Sequence, residues 1–401
     1  MVRASAITKE LAALISYAEN STDRTSARYE LALTLANEYS LIEDLDIKWS
    51  LGHQFENMLM LTQFAYENAS NDYEHIFDAV HGNCYTFNYL GLKKPYKVVR
   101  SGPENGLWLW LNIEQYEYLP FLTESAGIKV LVHDRTEAPF PASGGVLVSP
   151  NTDTALRIKK TEFSRLGGRY GDCLKKETTA PVTIYEYLYG YPYSKLACQQ
   201  SCLQREVIQN CTCFMSFIPY DDSFYEQVTP CQLEGIQSDC MNEVYYNYTI
   251  GASVCTECKD PCQQNIYDVD LSSTIWPAPT FMDSLQSDLA GFWPYLNATL
   301  EKPDPVNPRE SFIKTNMLQL QIYYEKLSVT QITESPKVTM FEFVANLGGV
   351  LGLWIGWSMM TIFEFMEYGT DLLAFLMLKC RPKTGDRQPD VRFHGHEMPS
   401  V

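Results

Sequence analysis

One apolar run near the end of the chain carries polar groups that hydrocarbon surroundings make costly. In "NLGGVLGLWIGWSMMTIFEF" (346–365), Asn346, Ser358, Thr361 and Glu364 interrupt a hydrophobic stretch that also holds four glycines. Phe343 to Phe363 is 21 residues without a charge. As a helix it is about 31 Å long, close to the thickness of a bilayer's hydrocarbon core. Lys379, Arg381, Lys383 and Arg387 follow, with Pro382 as a stop. A basic flank marks the cytoplasmic side of a span, so the residues before 340 are expected outside the cell. Cys380 sits at the inner edge, either as an acylation site or as a plain reduced thiol.

Ala345, Gly349, Gly352 and Gly356 are spaced 4, 3 and 4 and form one helical stripe. Small residues let spanning helices approach closely. That accounts for the glycines but not for the polar atoms. Asn346, Ser358 and Thr361 must face protein or water, and Glu364 and Glu367 more so. Eighteen residues, five turns, separate Asn346 from Glu364, so an unbroken helix puts both on one face. Small and polar groups ending in a carboxylate suit a cation path, with backbone carbonyls freed at glycines as further ligands. Helix packing in a single-pass receptor or adhesion protein is the competing reading.

The elements that must position this segment fill the preceding 340 residues. The chain of 401 residues has a formal net charge of −18 and no basic patch with interleaved aromatics, which argues against nucleic acid as a partner. Ten of its twelve cysteines fall between Cys173 and Cys262. Such density reads as a disulfide framework in an oxidising compartment. Zinc is the alternative, because CxxxC and CxxC spacings occur, but ten cysteines do not divide into four-ligand sites and the cluster has no histidine. Sequons at Asn20, Asn68, Asn210, Asn247 and Asn297 all precede the apolar run and are candidate glycosylation sites. No catalytic constellation, phosphate loop or metal-ligand cluster is visible, so neither an enzyme nor a cofactor is expected; His394 and His396 lie in the tail.

Here the residues acquire a resemblance. "ANLGGVLGLWIGWSMMTIFEF" resembles the second transmembrane segment of the degenerin / epithelial sodium channel / acid-sensing ion channel family, with Gly356-Trp357-Ser358 at its G-x-S filter. "HGNCYTFN" (81–88), "GLWLWLNIEQYEYLP" (106–120), "AGIKVLVHD" (126–134) and "LACQQSCLQREVIQNCTC" (196–213) are similar to further family segments, in the same order. The resemblance spans roughly residues 80 to 372.

It implies an α+β protein: a β-rich palm and β-ball with a helical finger, a disulfide-stapled thumb and one C-terminal transmembrane helix. It implies a sodium-selective, amiloride-sensitive, ligand- or mechanically gated channel of the plasma membrane, trimeric with itself or with related subunits, its ectodomain outside and its C-terminus cytosolic. It implies no cofactor beyond the permeant sodium ion, and its partners are channel subunits of the same family and the lipid bilayer. Carried over, Gly356, Trp357 and Ser358 form the filter. Ala345, Asn346, Gly349, Gly352 and Glu364 belong to the gate and pore. The thumb pairs are Cys173–Cys262, Cys198–Cys258, Cys202–Cys255, Cys211–Cys240 and Cys213–Cys231, with Cys84 unpaired. Trp357 is bulkier than the usual middle residue and suggests a nematode-like member. Tyr170 stands near the thumb's first cysteine where acid-sensing members carry Trp.

The expected organisation is a helical finger-like part (1–80), palm and β-ball strands (81–160), the thumb (161–265), return strands (266–340), a pore helix (341–378) and a cytosolic tail (379–401). The family's first transmembrane segment and the His-Gly motif before it have no counterpart. Lys9 and Glu10 interrupt the short apolar run at the start, so no signal peptide is read. An N-terminally shortened form is therefore expected, from a partial gene model, a fragment or a splice product.

Overall fold

The computed structural model describes residues 13–379 apart from 14, 17, 18, 41, 43, 44, 79, 120–122, 176–179, 233–234, 252–254, 292, 294–306 and 357. The chain divides into two compact units, Met1–Ser335 and Pro336–Val401.

The first unit is α+β. Helices α1 (Arg24–Ser40), α2 (Leu45–Leu51) and α3 (Phe55–Met58) lead into strands β1 (Leu59–Phe64) and β2 (Glu67–Asn68). The hairpin β3 (Tyr73–Asp78) and β4 (Gly82–Phe87) follows, then β5 (Leu107–Asn112), then the pair β6 (Ile128–Val130) and β7 (Val146–Val148), then the long β8 (Thr152–Ser164). The helical expectation for 1–80 thus stops at Met58. Residues 59–64 are a sheet strand paired antiparallel with β5 and β2; the polar Thr62, buried and bonded to the Tyr73 hydroxyl at 2.7 Å, masks the apolar alternation that would have marked it.

The central sheet has the order β11-β8-β12-β5-β1-β2, where β11 is Gln263–Ile275 and β12 is Met317–Thr333. β12 runs antiparallel to β5, from Met317 opposite Asn112 to Ile322 opposite Leu107, and parallel to β8. Alternation along "LWLWLN" sends Leu107, Leu109 and Leu111 to one face, where they join Leu156, Leu318 and Leu320 in a core with Val148 and Ile128. Trp110 and Met317 face the other side. There they pack with Trp276, Met282, Leu285, Phe312 and Ile313, contributed in part by helices α7 (Met282–Asp288) and α8 (Pro308–Asn316). Strands buried on both faces make this sheet the scaffold of the unit.

The cysteine-rich part hangs between β8 and β11. It holds α4 (Ile184–Tyr189), α5 (Lys195–Cys211), the short strands β9 (Cys213–Phe214) and β10 (Thr229–Pro230), and α6 (Ile236–Thr249). Ser194 caps α5 through the Ala197 amide. Five disulfides staple it: Cys173–Cys262, Cys198–Cys258, Cys202–Cys255, Cys211–Cys240 and Cys213–Cys231. Cys198 and Cys202 lie one turn apart on α5, so their two bridges pull one face of the helix onto the 255–258 turn. Buried Gln204 adds a polar clasp: its side-chain nitrogen donates to the Met215 and Ile218 carbonyls at 3.0 and 3.3 Å, and its oxygen accepts from the Met215 amide at 2.9 Å.

In the second unit, α9 (Met340–Ile355) and α10 (Met359–Lys379) replace the single helix expected over 341–378. Among the described residues no single helix is long and apolar enough to cross a membrane; Met340–Trp354 and Met359–Lys379, bent by 81°, qualify by length and composition only as a pair.

Candidate functional site

The break in the apolar segment is the feature with chemical content. Thr339 opens α9 with a reciprocal cap: its hydroxyl accepts from the Glu342 amide at 3.1 Å, and the Glu342 carboxylate accepts from the Thr339 amide at 2.8 Å. Gly356 closes α9 in the left-handed region, φ 68° and ψ 19°, where a residue without Cβ pays no steric penalty. Ser358 then restarts the chain as α10.

This corrects the expected common face. Asn346 and Glu364 share a face only if the helix is continuous, and it stops between them. Ala345, Gly349 and Gly352 keep their alignment, because all three lie within α9. Glu364 lies in α10, one turn beyond Thr361, and its side chain is exposed. Trp357 lies outside the described residues.

The break has electrostatic consequences. A helix leaves its last four carbonyls without intrahelical partners, and its C-terminal end carries partial negative charge. In α9 those carbonyls belong to Gly352, Leu353, Trp354 and Ile355. They point toward the bend, where they can replace part of a cation's hydration shell. Along their length the two helices display exposed apolar side chains, among them Phe341, Val344, Leu353, Trp354, Phe363, Phe365 and Leu376. So many exposed large apolar side chains suit contact with lipid or with other protein.

The other sequence candidates lie in the first unit. Asn68 is exposed on β2, where its side-chain oxygen accepts from the Ser70 amide; Asn20 and Asn210 are also exposed, and Asn247 is half-buried on α6. Asn297 lies outside the described residues, as does the histidine pair of the tail. Cys84 is a free thiol on β4, and burial pushes its pKa up to about 12. Among the described residues, no group of three or more His, Cys, Asp or Glu side chains could hold a metal ion.

Two features escaped the sequence reading. The break itself left only a weak signal, Ser358 with Thr361 three residues on, which can also be read as two pore-facing hydroxyls. The other is a part-buried pair, His53 and Glu114, whose positions 61 residues apart carried no local mark.

Residues 5–368 match the family described as "Amiloride-sensitive sodium channel". The chain is 29% identical over 310 residues to the human epithelial sodium channel subunit alpha, covering 77% of this chain and 43% of that protein. It is 30% identical over 311 residues to the same subunit of Neoceratodus forsteri, covering 77% and 44%. It is 29% identical over 333 residues to degenerin-like protein unc-105 of Caenorhabditis elegans, covering 80% and 35%. The chain thus spans less than half the length of these relatives. The chain belongs to the amiloride-sensitive sodium channel family, a family of ion channels and not of enzymes.

Proposed function

We propose that this chain is a subunit of a sodium-selective cation channel of the plasma membrane, trimeric with itself or with related subunits. In this reading the pair α9–α10 lines the ion path. Gly356, Trp357 and Ser358 form the narrow filter, Ala345, Asn346, Gly349 and Gly352 the outer gate, and Glu364 a carboxylate ring below. The disulfide-rich first unit lies outside the cell, bears glycans at its sequons, and receives the stimulus, whether a ligand or mechanical force. The tail lies in the cytosol. Amiloride block is part of the proposal.

The observation that carries it is the helix break at Gly356, two residues before the polar Ser358, within the apolar run. Irregular backbone at membrane depth is tolerated only where it is buried in protein or lines a water-filled cavity. A receptor's single anchoring helix has no use for such a break. The test is whole-cell recording from cells expressing this chain together with longer family subunits. An inward current should appear in sodium, vanish when a large impermeant cation replaces sodium, and fall with amiloride. Surface-expressed protein that adds no current to that of the partners alone defeats the proposal.

A further inference from the structure

The bend is held by side chains as well as by Gly356. The Ser358 amide donates to Thr361 Oγ1 at 3.3 Å, and the Thr361 amide donates to Ser358 Oγ at 3.3 Å. The two hydroxyl oxygens lie 3.1 Å apart, and the Ile362 amide donates to the Ser358 carbonyl at 3.2 Å to begin the regular helix. This is a reciprocal cap in which a threonine hydroxyl takes the place a glutamate usually fills. It gives side-chain partners to two backbone amides at the start of α10, where a helix leaves its first amides without intrahelical partners. It also engages both hydroxyls with the backbone.

We infer that Thr361 is a positioning residue for ion selection: by capping Ser358 it fixes the angle at which α10 leaves the break, and so fixes the α9 carbonyls that face the ion. Gly356 permits the bend, and Thr361 selects it over a straight helix. The selectivity part of this inference rests on the channel reading above, but the bend does not. Losing a helix cap shifts a conformational ratio by about three- to thirtyfold, enough to populate the straight form.

The test uses the full chain in lipid nanodiscs, with spin labels at Leu347→Cys and Met366→Cys in a Cys84→Ser, Cys380→Ser background. A straight helix separates those backbones by about 28 Å, whereas the observed bend brings them to about 20 Å. With Thr361 present the short distance should dominate. Thr361→Val, equal in shape but without the hydroxyl, should add a long-distance population, and Thr361→Ser should remove it again. In channels containing this chain, Thr361→Val should lower the sodium-to-potassium permeability ratio severalfold and Thr361→Ser should restore it. A Thr361→Val distance distribution identical to the parent's overturns the inference. A straightened Thr361→Val with unchanged permeability ratio overturns its selectivity part. A hydroxyl-dependent bend in a chain that adds no current supports the hinge while defeating the channel reading.

Discussion

His53 Nδ1 lies 2.7 Å from the Glu114 carboxylate, and the Glu114 side chain is only 1% exposed. The pair joins the turn after α2 to the end of β5. Glu114 sits in the left-handed region at φ 49°, its amide donating to the Asn112 side chain, and its second oxygen accepts from the Tyr116 hydroxyl at 3.2 Å. The His53 carbonyl in turn accepts from Tyr85 and Asn83 on β4. One polar hub thus ties the helical entry, the central sheet and the β3–β4 hairpin together.

Removing one partner from such a hub should cost more than removing a surface ion pair. His53→Ala leaves a buried carboxyl group with one side-chain donor, and the expected loss is about 3 kcal/mol of unfolding free energy. Glu114→Gln, which keeps the shape and an acceptor, should lose less. Denaturant unfolding of purified protein, followed by tryptophan fluorescence, measures both. Losses equal to within about 0.5 kcal/mol, the usual additivity error, would show that the pair is not the reason for the burial.

Gln204 makes a second stability prediction. Gln204→Leu leaves the Met215 amide and two carbonyls without their partner inside the stapled region, at a cost of about 2 kcal/mol. Because the five disulfides hold the chain whatever the state of α5, the loss should appear as faster amide exchange at Met215 and Ile218 rather than as a changed disulfide map.

The Cys84 thiol should react slowly. With its pKa raised from 9.0 to about 12, chiefly by burial and in smaller part by the nearby Asp78, only about one thiol in ten thousand is ionised at pH 8. Alkylation by iodoacetamide should therefore rise about tenfold per pH unit well past pH 9. The same shift sets a stability trend. A folded-state pKa above the unfolded one favours the protonated fold, so the contribution is fully present below pH 9 and is lost as pH rises toward 12. Mass spectrometry of alkylated protein across pH reads the first effect. A rate that levels off near pH 9 contradicts it.

Ala345 supplies a prediction about gating. It lies on the small-residue face of α9 with Gly349 and Gly352. If that face meets neighbouring helices in the shut state, Ala345→Val adds volume at a cost of about 1–3 kcal/mol to the packed form. The equilibrium then moves toward open, and 1.4 kcal/mol is about tenfold in the open-to-shut ratio. Single-channel open probability should rise. Unchanged open probability at normal surface density removes this face from the gate.

The parts of the fold legible in sequence are those with a local period or density. Period-two alternation in "WLWLNIEQY" is a strand signal that covers most of β5, and cysteine crowding marked the cross-linked region. The order of the sheet was not legible, because β12 joins β5 and β8 from more than 150 residues away and no local pattern encodes register with such partners. β1 was hidden by Thr62, a polar residue at a buried position that only Tyr73 explains. In the apolar segment, 21 uncharged residues announced a span, yet the same glycines that suit close helix packing also permit a stop. Glycine at 356 is ambiguous until its φ is known, so the segment read as one helix and folded as two.

The central claim is that α9 and α10 face an ion path on either side of the bend. The most direct measurement introduces single cysteines at Gly352, Ser358 and Glu364 and applies a positively charged methanethiosulfonate reagent from each side of the membrane during sodium recording. The account predicts block at all three positions, with Gly352 reached from outside, Glu364 from inside, and a reduced rate at each when sodium occupies the path. Complete modification of all three cysteines, confirmed by mass spectrometry, with no change in sodium current would contradict it.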